Sequence, residues 1–382
     1  MKKNSKDKSL AKKVLLSVVA AGVMSGFVLS AEAADSTLDV SGEKVTKENV
    51  QVAKVAATGG AELTLKNGTV SGLKENRSDP DDPADEGMID ADVATEIGDK
   101  GTVLHATDVV FIGEVAAVEG SKIVINGGSV TAGNCYYDDA HGNKIEKLGT
   151  EIGAHDGSEI ELNKVEINSN LGAFDGSVIT VNDSNVHAAY AIYAEGKGTT
   201  INLNSSDGKA EYTVDSDYGI EANEGAYINI KGGKVSTTYF VAIENSKITV
   251  NNAAINASNG ILADNSEITL DGEEKTTYTV GEGFVAENGG KIYINGGTLQ
   301  ENNLKSKMYN VKVEEGLSNT DAKGIVLDKN GVISTMSDQI YANKASETQK
   351  ESGAITNEGI DFKGGKLVLN DAKYTLSYSQ SW

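Results

Sequence analysis

Residues 131–150 read TAGNCYYDDAHGNKIEKLGT and bring together Cys135, Tyr136, Tyr137, Asp138, Asp139 and His141. Two carboxyls and an imidazole within six residues are groups that general acid–base catalysis uses. Such a set needs partners from neighbouring elements, and alone the stretch reads as a loop. Asp79, Asp81, Asp82, Asp85 and Glu86 form a second acidic cluster whose oxygens suit a divalent cation. Without the fixed spacing of a cation-binding loop, it reads as a solvated, flexible segment. His105, His155 and His187 are scattered, and no pair has metal-ligand spacing. No Gly-x-Ser-x-Gly nucleophile has a histidine downstream, and no phosphate-cradling glycine loop opens a helix. No residue is therefore assigned a catalytic, cofactor-binding or metal-binding role, and no cofactor is expected. Cys135 is the only cysteine, so an internal disulfide is excluded. It reads as a free or buried thiol, with intermolecular pairing left open.

The elements that would position these groups are written in the rest of the chain. Its 382 residues include 43 Gly but only 2 Pro and one Trp, and Arg77 is the single arginine. The net charge of −22 argues against nucleic acid and against anionic membrane surfaces as partners, since both need clustered Lys and Arg. Its simplest consequence is solubility.

Residues 1–33 differ in composition from the remainder of the chain. Lys2, Lys3, Lys6, Lys8, Lys12 and Lys13 precede the apolar run VLLSVVAAGVMSGFVLS (14–30) and then AEA (31–33). A basic start, a short apolar stretch and small residues at a cleavage position read as a secretory signal peptide. The remainder, stripped of six lysines, is more acidic still and is expected to be exported.

A short phrase then recurs: GSKIVINGGSV (120–130), GSEIELNKVEI (157–167), GSVITVNDSNV (176–186), GAYINIKGGKV (225–235), NSKITVNNAAI (245–255) and GGKIYINGGTL (289–299). The leading aliphatic falls at 104, 123, 160, 179, 201, 228, 248, 268 and 292. A period near 20 marks a solenoid, and the step of 37 reads as two units. A second short strand precedes each phrase, as in EVAAVEGS (114–121), EIGAHDGS (151–158) and LGAFDGS (171–177). Alternate positions are aliphatic (Ile123/Ile125, Ile160/Leu162, Ile179/Val181, Ile228/Ile230, Ile292/Ile294, Leu367/Leu369), and the intervening ones are mostly polar. Period two means strands with one buried and one wet face.

The fold expected is all-β, a single-stranded right-handed parallel β-helix of about 20 residues per coil, handed by the crossover rule. Asn126, Asn163, Asn182, Asn204, Asn251, Asn295 and Asn370 follow the aliphatic pairs, with Lys231 and Asp271 in the same place in other coils. They are expected to turn the corner in the left-handed conformation and to hydrogen-bond along the axis. The chain divides into the signal peptide (1–33), an N-terminal cap and first coils with an acidic insertion (34–100), a regular β-helix (101–299) and irregular C-terminal coils (300–382). The insertions 71–100 and 131–150 are placed outside the coil, where solenoids often bind partners.

The repeated GSxIxI/LN coil and the basic leader MKKNSKDKSLAKK together resemble the passenger region of Gram-negative autotransporters, built on the pectin-lyase-like β-helix, over roughly 35–382. The resemblance implies an outer-membrane or extracellular location and a non-enzymatic adhesin or self-associating factor. Its partners would be host or neighbouring-cell glycans or proteins, or other copies of the chain. It also implies a membrane β-barrel translocator, which 300–382 does not contain; a truncated chain, a fragment and a freely secreted protein all fit. The same fold houses polysaccharide lyases and hydrolases, the alternative reading, in which Asp138 and Asp139 would carry the chemistry. Arg77 is the one arginine a lyase could use, and it lies in the N-terminal insertion. A purely structural coat component is the third reading.

Overall fold

A five-residue strand with aliphatic side chains at alternate positions cannot bury its apolar face alone. Stacked on copies of itself at ~4.8 Å, it can. The computed structural model shows this arrangement. It describes residues 36–75, 88–138, 144–216, 218–273, 275–281 and 284–305, then the strand segments 309–310, 324–328, 332–335, 340–342, 354–355, 366–370 and 373–379. The leader 1–33 lies outside them. The described residues are all-β and contain no helix.

The chain forms two units. The first comprises residues through Tyr193 with Thr199–Ile201, and the second comprises Ala194–Gly198 and residues from Asn202 onward. The first unit opens with β1 (Thr37–Ser41), β2 (Lys44–Val52), β3 (Lys54–Thr58), β4 (Glu62–Val70), β5 (Leu73–Glu75) and β6 (Met88–Ile97). Next come β7 (Val103–Ile112), β8 (Glu114–Ala117), β9 (Lys122–Asn126), β10 (Ser129–Thr131), β11 (Asn134–Asp138) and β12 (Lys144–Gly149). It continues through β13 (Glu151–Ala154), β14 (Glu159–Asn163), β15 (Glu166–Asn168), β16 (Asn170–Phe174), β17 (Val178–Asn182) and β18 (Asn185–Ala188).

These strands stack in three parallel columns. The first runs β1–β3–β6–β8–β13–β16. The second runs β2–β4–β7–β9–β14–β17. The third joins the end of β7 to β10, β15 and β18. Leu63, Leu104, Ile123, Ile160 and Ile179 form one in-register row inside the second column, fully or almost fully buried. Each such side chain contributes about 1.5–3 kcal/mol by burial. Val55, Val115, Ile152 and Leu171 do the same in the first column, where Thr95 stands buried among them.

In the second unit, β19 (Ala191–Glu195) and β20 (Thr200–Asn204) contribute their later residues. They are followed by β21 (Glu211–Val214), β22 (Gly219–Asn223), β23 (Tyr227–Lys231), β24 (Lys234–Ile243), β25 (Lys247–Asn251) and β26 (Ala254–Asp264). Then come β27 (Glu267–Asp271), β28 (Thr277–Val280), β29 (Phe284–Glu287) and β30 (Lys291–Asn295). Parallel pairing again links β23–β25–β27–β30, with Ile228, Ile248, Ile268 and Ile292 in one buried row. The strand 366–370 pairs with β30, matching Leu367 to Ile292 and Leu369 to Ile294.

Two expectations are corrected. Ile123 pairs directly with Ile160, so the 37-residue step is one coil and not two. The additional residues form the antiparallel hairpin β11–β12. Asn126, Asn163 and Asn182 do not take the left-handed conformation; the residues after them do, at Gly127 (φ 69°), Lys164 (φ 54°) and Asp183 (φ 47°). The asparagines keep strand geometry, which holds their amides in register. As expected, these hydrogen-bond along the axis: Asn163 Nδ2 donates to Asn126 Oδ1 (3.0 Å) and Asn182 Nδ2 to Asn163 Oδ1 (2.8 Å).

The Ser of the Gly-Ser phrase has a similar task at the preceding corner. Gly120 N–H donates to Ser158 Oγ (3.0 Å), and Ser158 N–H donates to Ser177 Oγ (3.2 Å). Buried hydroxyls thus accept from backbone donors at the turn, and Ser158 N–H also donates to the His155 carbonyl (3.2 Å).

Candidate functional site

In the first column, inner and outer positions alternate. On β13, Ile152 and Ala154 face the core, while Glu151 and Gly153 face outward. Register places Glu114 beside Glu151 on one side and Asn170 beside it on the other. Ala116, Gly153 and Gly172 form the next outward row. The small row between polar and aromatic residues is what lets the flanking side chains fold down onto the sheet.

The glycines show how closely they do so. A Cβ added at Gly172 would lie 2.7 Å from Glu151 Oε2 and 2.9 Å from Phe174 Cε2. One added at Gly153 would lie 2.9 Å from His155 Nε2 and 3.3 Å from Glu151 Oε1. Glu151, His155 and Phe174 therefore converge over these two glycines. His155 stacks on Phe174 with ring centroids 4.8 Å apart and planes at 11°, and Tyr193 tilts against Phe174 at 5.9 Å. Asn170 Oδ1 accepts from Tyr190 N–H (3.0 Å) and Ala191 N–H (3.3 Å), which fixes the bend beside the recess.

Glu151 is only 6% exposed, and neither carboxyl oxygen has a hydrogen-bond partner. Burial, with a smaller contribution from Glu114, pushes its pKa well above the usual carboxylate range. The shift favours the protonated acid, which offers one donor and several acceptor sites, and neither oxygen is hydrogen-bonded. An unsatisfied buried polar group costs about 1–3 kcal/mol.

The same outward face is solved differently nearer the N-terminus. Lys54 on β3 is buried and donates through Nζ to Glu75 Oε1 (2.7 Å) and Glu96 Oε2 (3.0 Å). Burial acts to lower the Lys54 pKa, but its hydrogen bonds to Glu75 and Glu96 and their charges outweigh it, and the pKa stands raised. The triad clamps the β5–β6 hairpin to the coil.

In the second unit, Glu221 on β22 is an outward carboxyl whose pKa burial, then the charge of Glu195, raises to about 7. Elsewhere the wet face carries exposed ion pairs of low value, such as Lys122–Glu159 (2.9 Å) and Lys234–Glu211 (3.0 Å).

Of the described residues singled out from sequence, only His155 belongs to this site. Arg77, Asp79, Asp81, Asp82, Asp85, Glu86, Asp139 and His141 lie outside the described residues. Cys135, Tyr136, Tyr137 and Asp138 form β11, which pairs with both β12 and β6. The two interruptions of the repeat thus meet in one small antiparallel sheet, a union not visible in the sequence. His105 is on β7 and His187 on β18, in other columns. Glu114, Glu151, Asn170, Phe174 and Tyr193 escape a sequence reading that takes the upstream strand as an aliphatic-x-Ala consensus. The signal that could have found them is the residues at its x positions. Among the described residues, no group of three or more His, Cys, Asp or Glu is arranged to hold a metal ion, and no helix is long and apolar enough to cross a membrane. Comparison with family models, curated proteins and solved structures finds no match to the chain.

Proposed function

We propose that the chain is an exported, non-enzymatic β-helical scaffold that acts in adhesion or self-association at the surface of a Gram-negative cell. The observation that carries this reading is the regularity of the outward rows. Amides, hydroxyls and charged groups stand at rung spacing on a backbone already hydrogen-bonded to both neighbours, as at Asn126–Asn163–Asn182. A surface ordered in advance loses little entropy when it docks on a repeating partner, whether glycan, protein or a second copy. The leader 1–33 supports export, and a β-barrel translocator would complete surface display. The test is expression of the full chain in a Gram-negative host. Export with cleavage after Ala33, followed by binding to cells or matrix or clumping of cells, is the expected result. Purified chain that stays monomeric and binds neither would end this reading.

A second reading, polysaccharide lyase or hydrolase, draws support from Glu151, a buried carboxyl one rung from Glu114 whose pKa burial raises. A pair of acids with separated pKa values is what glycosidic bond cleavage uses. Reducing ends released from acidic or neutral polysaccharides, and lost in Glu151→Gln, would favour it over the scaffold; no product across such a panel would remove it.

A further inference from the structure

We propose that the recess at Glu151 binds a primary ammonium group, the chemistry that Lys54 supplies from within the chain on the same outward face. The inference does not depend on adhesion; it rests on the geometry of one sheet. At β5 and β6 the chain places two carboxylates, Glu75 and Glu96, and satisfies both with one buried ammonium, Lys54 of β3, at 2.7 and 3.0 Å. At β8 and β13 it again places two carboxyls, Glu114 and Glu151, side by side. Here the inner one has both oxygens buried and unpartnered. The groups facing it are Glu114 from β8, Asn170 and Phe174 from β16, and His155 beyond the end of its own strand. Burial and Glu114 alone set its charge state.

A ligand must therefore bring positive charge and hydrogen-bond donors. An ammonium carries both. A divalent metal fits less well, because no set of three or more metal-binding side chains is poised among the described residues. Glu114, beside Glu151, is half-exposed. An ammonium beside Glu151 favours its carboxylate form and so opposes the effect of burial. The ammonium could come from an amino sugar or from a diamine.

Calorimetric titration of the purified chain with glucosamine and with putrescine tests this, with N-acetylglucosamine and glucose as neutral controls. Saturable one-to-one binding of an amine is expected at pH 8. It should weaken at least tenfold at pH 5 and at least tenfold in Glu151→Gln. Circular dichroism establishes that the variant is folded; Glu114→Gln should weaken binding less. Glucosamine alone binding assigns an amino sugar, and putrescine alone assigns a diamine. The proposal is overturned by no saturable amine binding, by equal binding in Glu151→Gln, or by equal binding of the neutral sugars. Because the readout is a small amine and purified protein, failure here leaves the adhesion assay untouched, and the reverse also holds.

Discussion

Lys54 with Glu75 and Glu96, and Glu151 with Glu114, occupy the same outward face of the first column and are treated in opposite ways. In the first, a buried lysine pairs with two partly exposed carboxylates. In the second, a carboxyl is buried with only another acid as its electrostatic neighbour. Low-dielectric surroundings magnify both outcomes: a paired charge becomes a clamp, and an unpaired one gives up its ionisation. The first arrangement joins an insertion to the coil; the second keeps an unsatisfied group available.

The contrast can be broken from its stronger side. Lys54→Met leaves Glu75 and Glu96 facing each other without their cation and is expected to cost about 2–4 kcal/mol, read by denaturant unfolding at pH 7. Protection of the β5–β6 amides from hydrogen exchange should fall with it. A loss below about 0.5 kcal/mol would mean that the triad is not a clamp.

Glu151→Gln should act in the opposite direction. The folded-state pKa is raised, so below the unfolded value near 4.5 the acid is neutral in both states and contributes no penalty. As pH rises, the unfolded chain ionises first and the folded state loses ground. The variant should therefore match the parent at pH 4 and exceed it by about 1–3 kcal/mol at pH 8, seen as a widening difference in Tm. A pH-independent difference would refute the buried acid.

Glu221 offers the same experiment in the second unit. Its folded pKa near 7 confines the loss of stability to the window between about 4.5 and 7. Glu221→Gln should gain about 3 kcal/mol across that window and no more above it. Titration of the Glu221 carboxyl by NMR gives the midpoint directly.

Two further variants measure the ordinary coil against which both sites stand out. Asn163→Ala removes the middle amide of Asn126–Asn163–Asn182 and should cost about 1 kcal/mol by thermal unfolding. Lys122→Ala breaks an exposed pair with Glu159 and should change stability by no more than about 0.5 kcal/mol, disappearing in high salt.

Legibility follows the same division. The inner rows can be read because each coil solves one packing problem with the same letters; Ile160 and Ile179 are neighbours in space as their phrases are in sequence. The amide ladder is visible for that reason, although its backbone is not: Asn163 keeps strand geometry and Lys164 makes the turn. The outward face of the upstream strand is harder. Glu151, Gly153 and His155 look unremarkable in EIGAHDGS until Gly172 and Phe174 are laid beside them. The insertions hide their meaning too, since β6 and β11 pair across more than 40 residues with no common pattern.

From sequence alone came the all-β parallel coil, its core positions and the rows of polar side chains, because period two and a repeat near 20 residues are local properties that burial enforces at every rung. Tertiary structure decided which rung stacks on which, that the two interruptions share a sheet, and that one carboxyl is answered by Lys54 while another is left with none. Those outcomes depend on partners 21 and 42 residues from Lys54 and 37 residues from Glu114, distances over which side-chain charge and desolvation act only once the coil has closed.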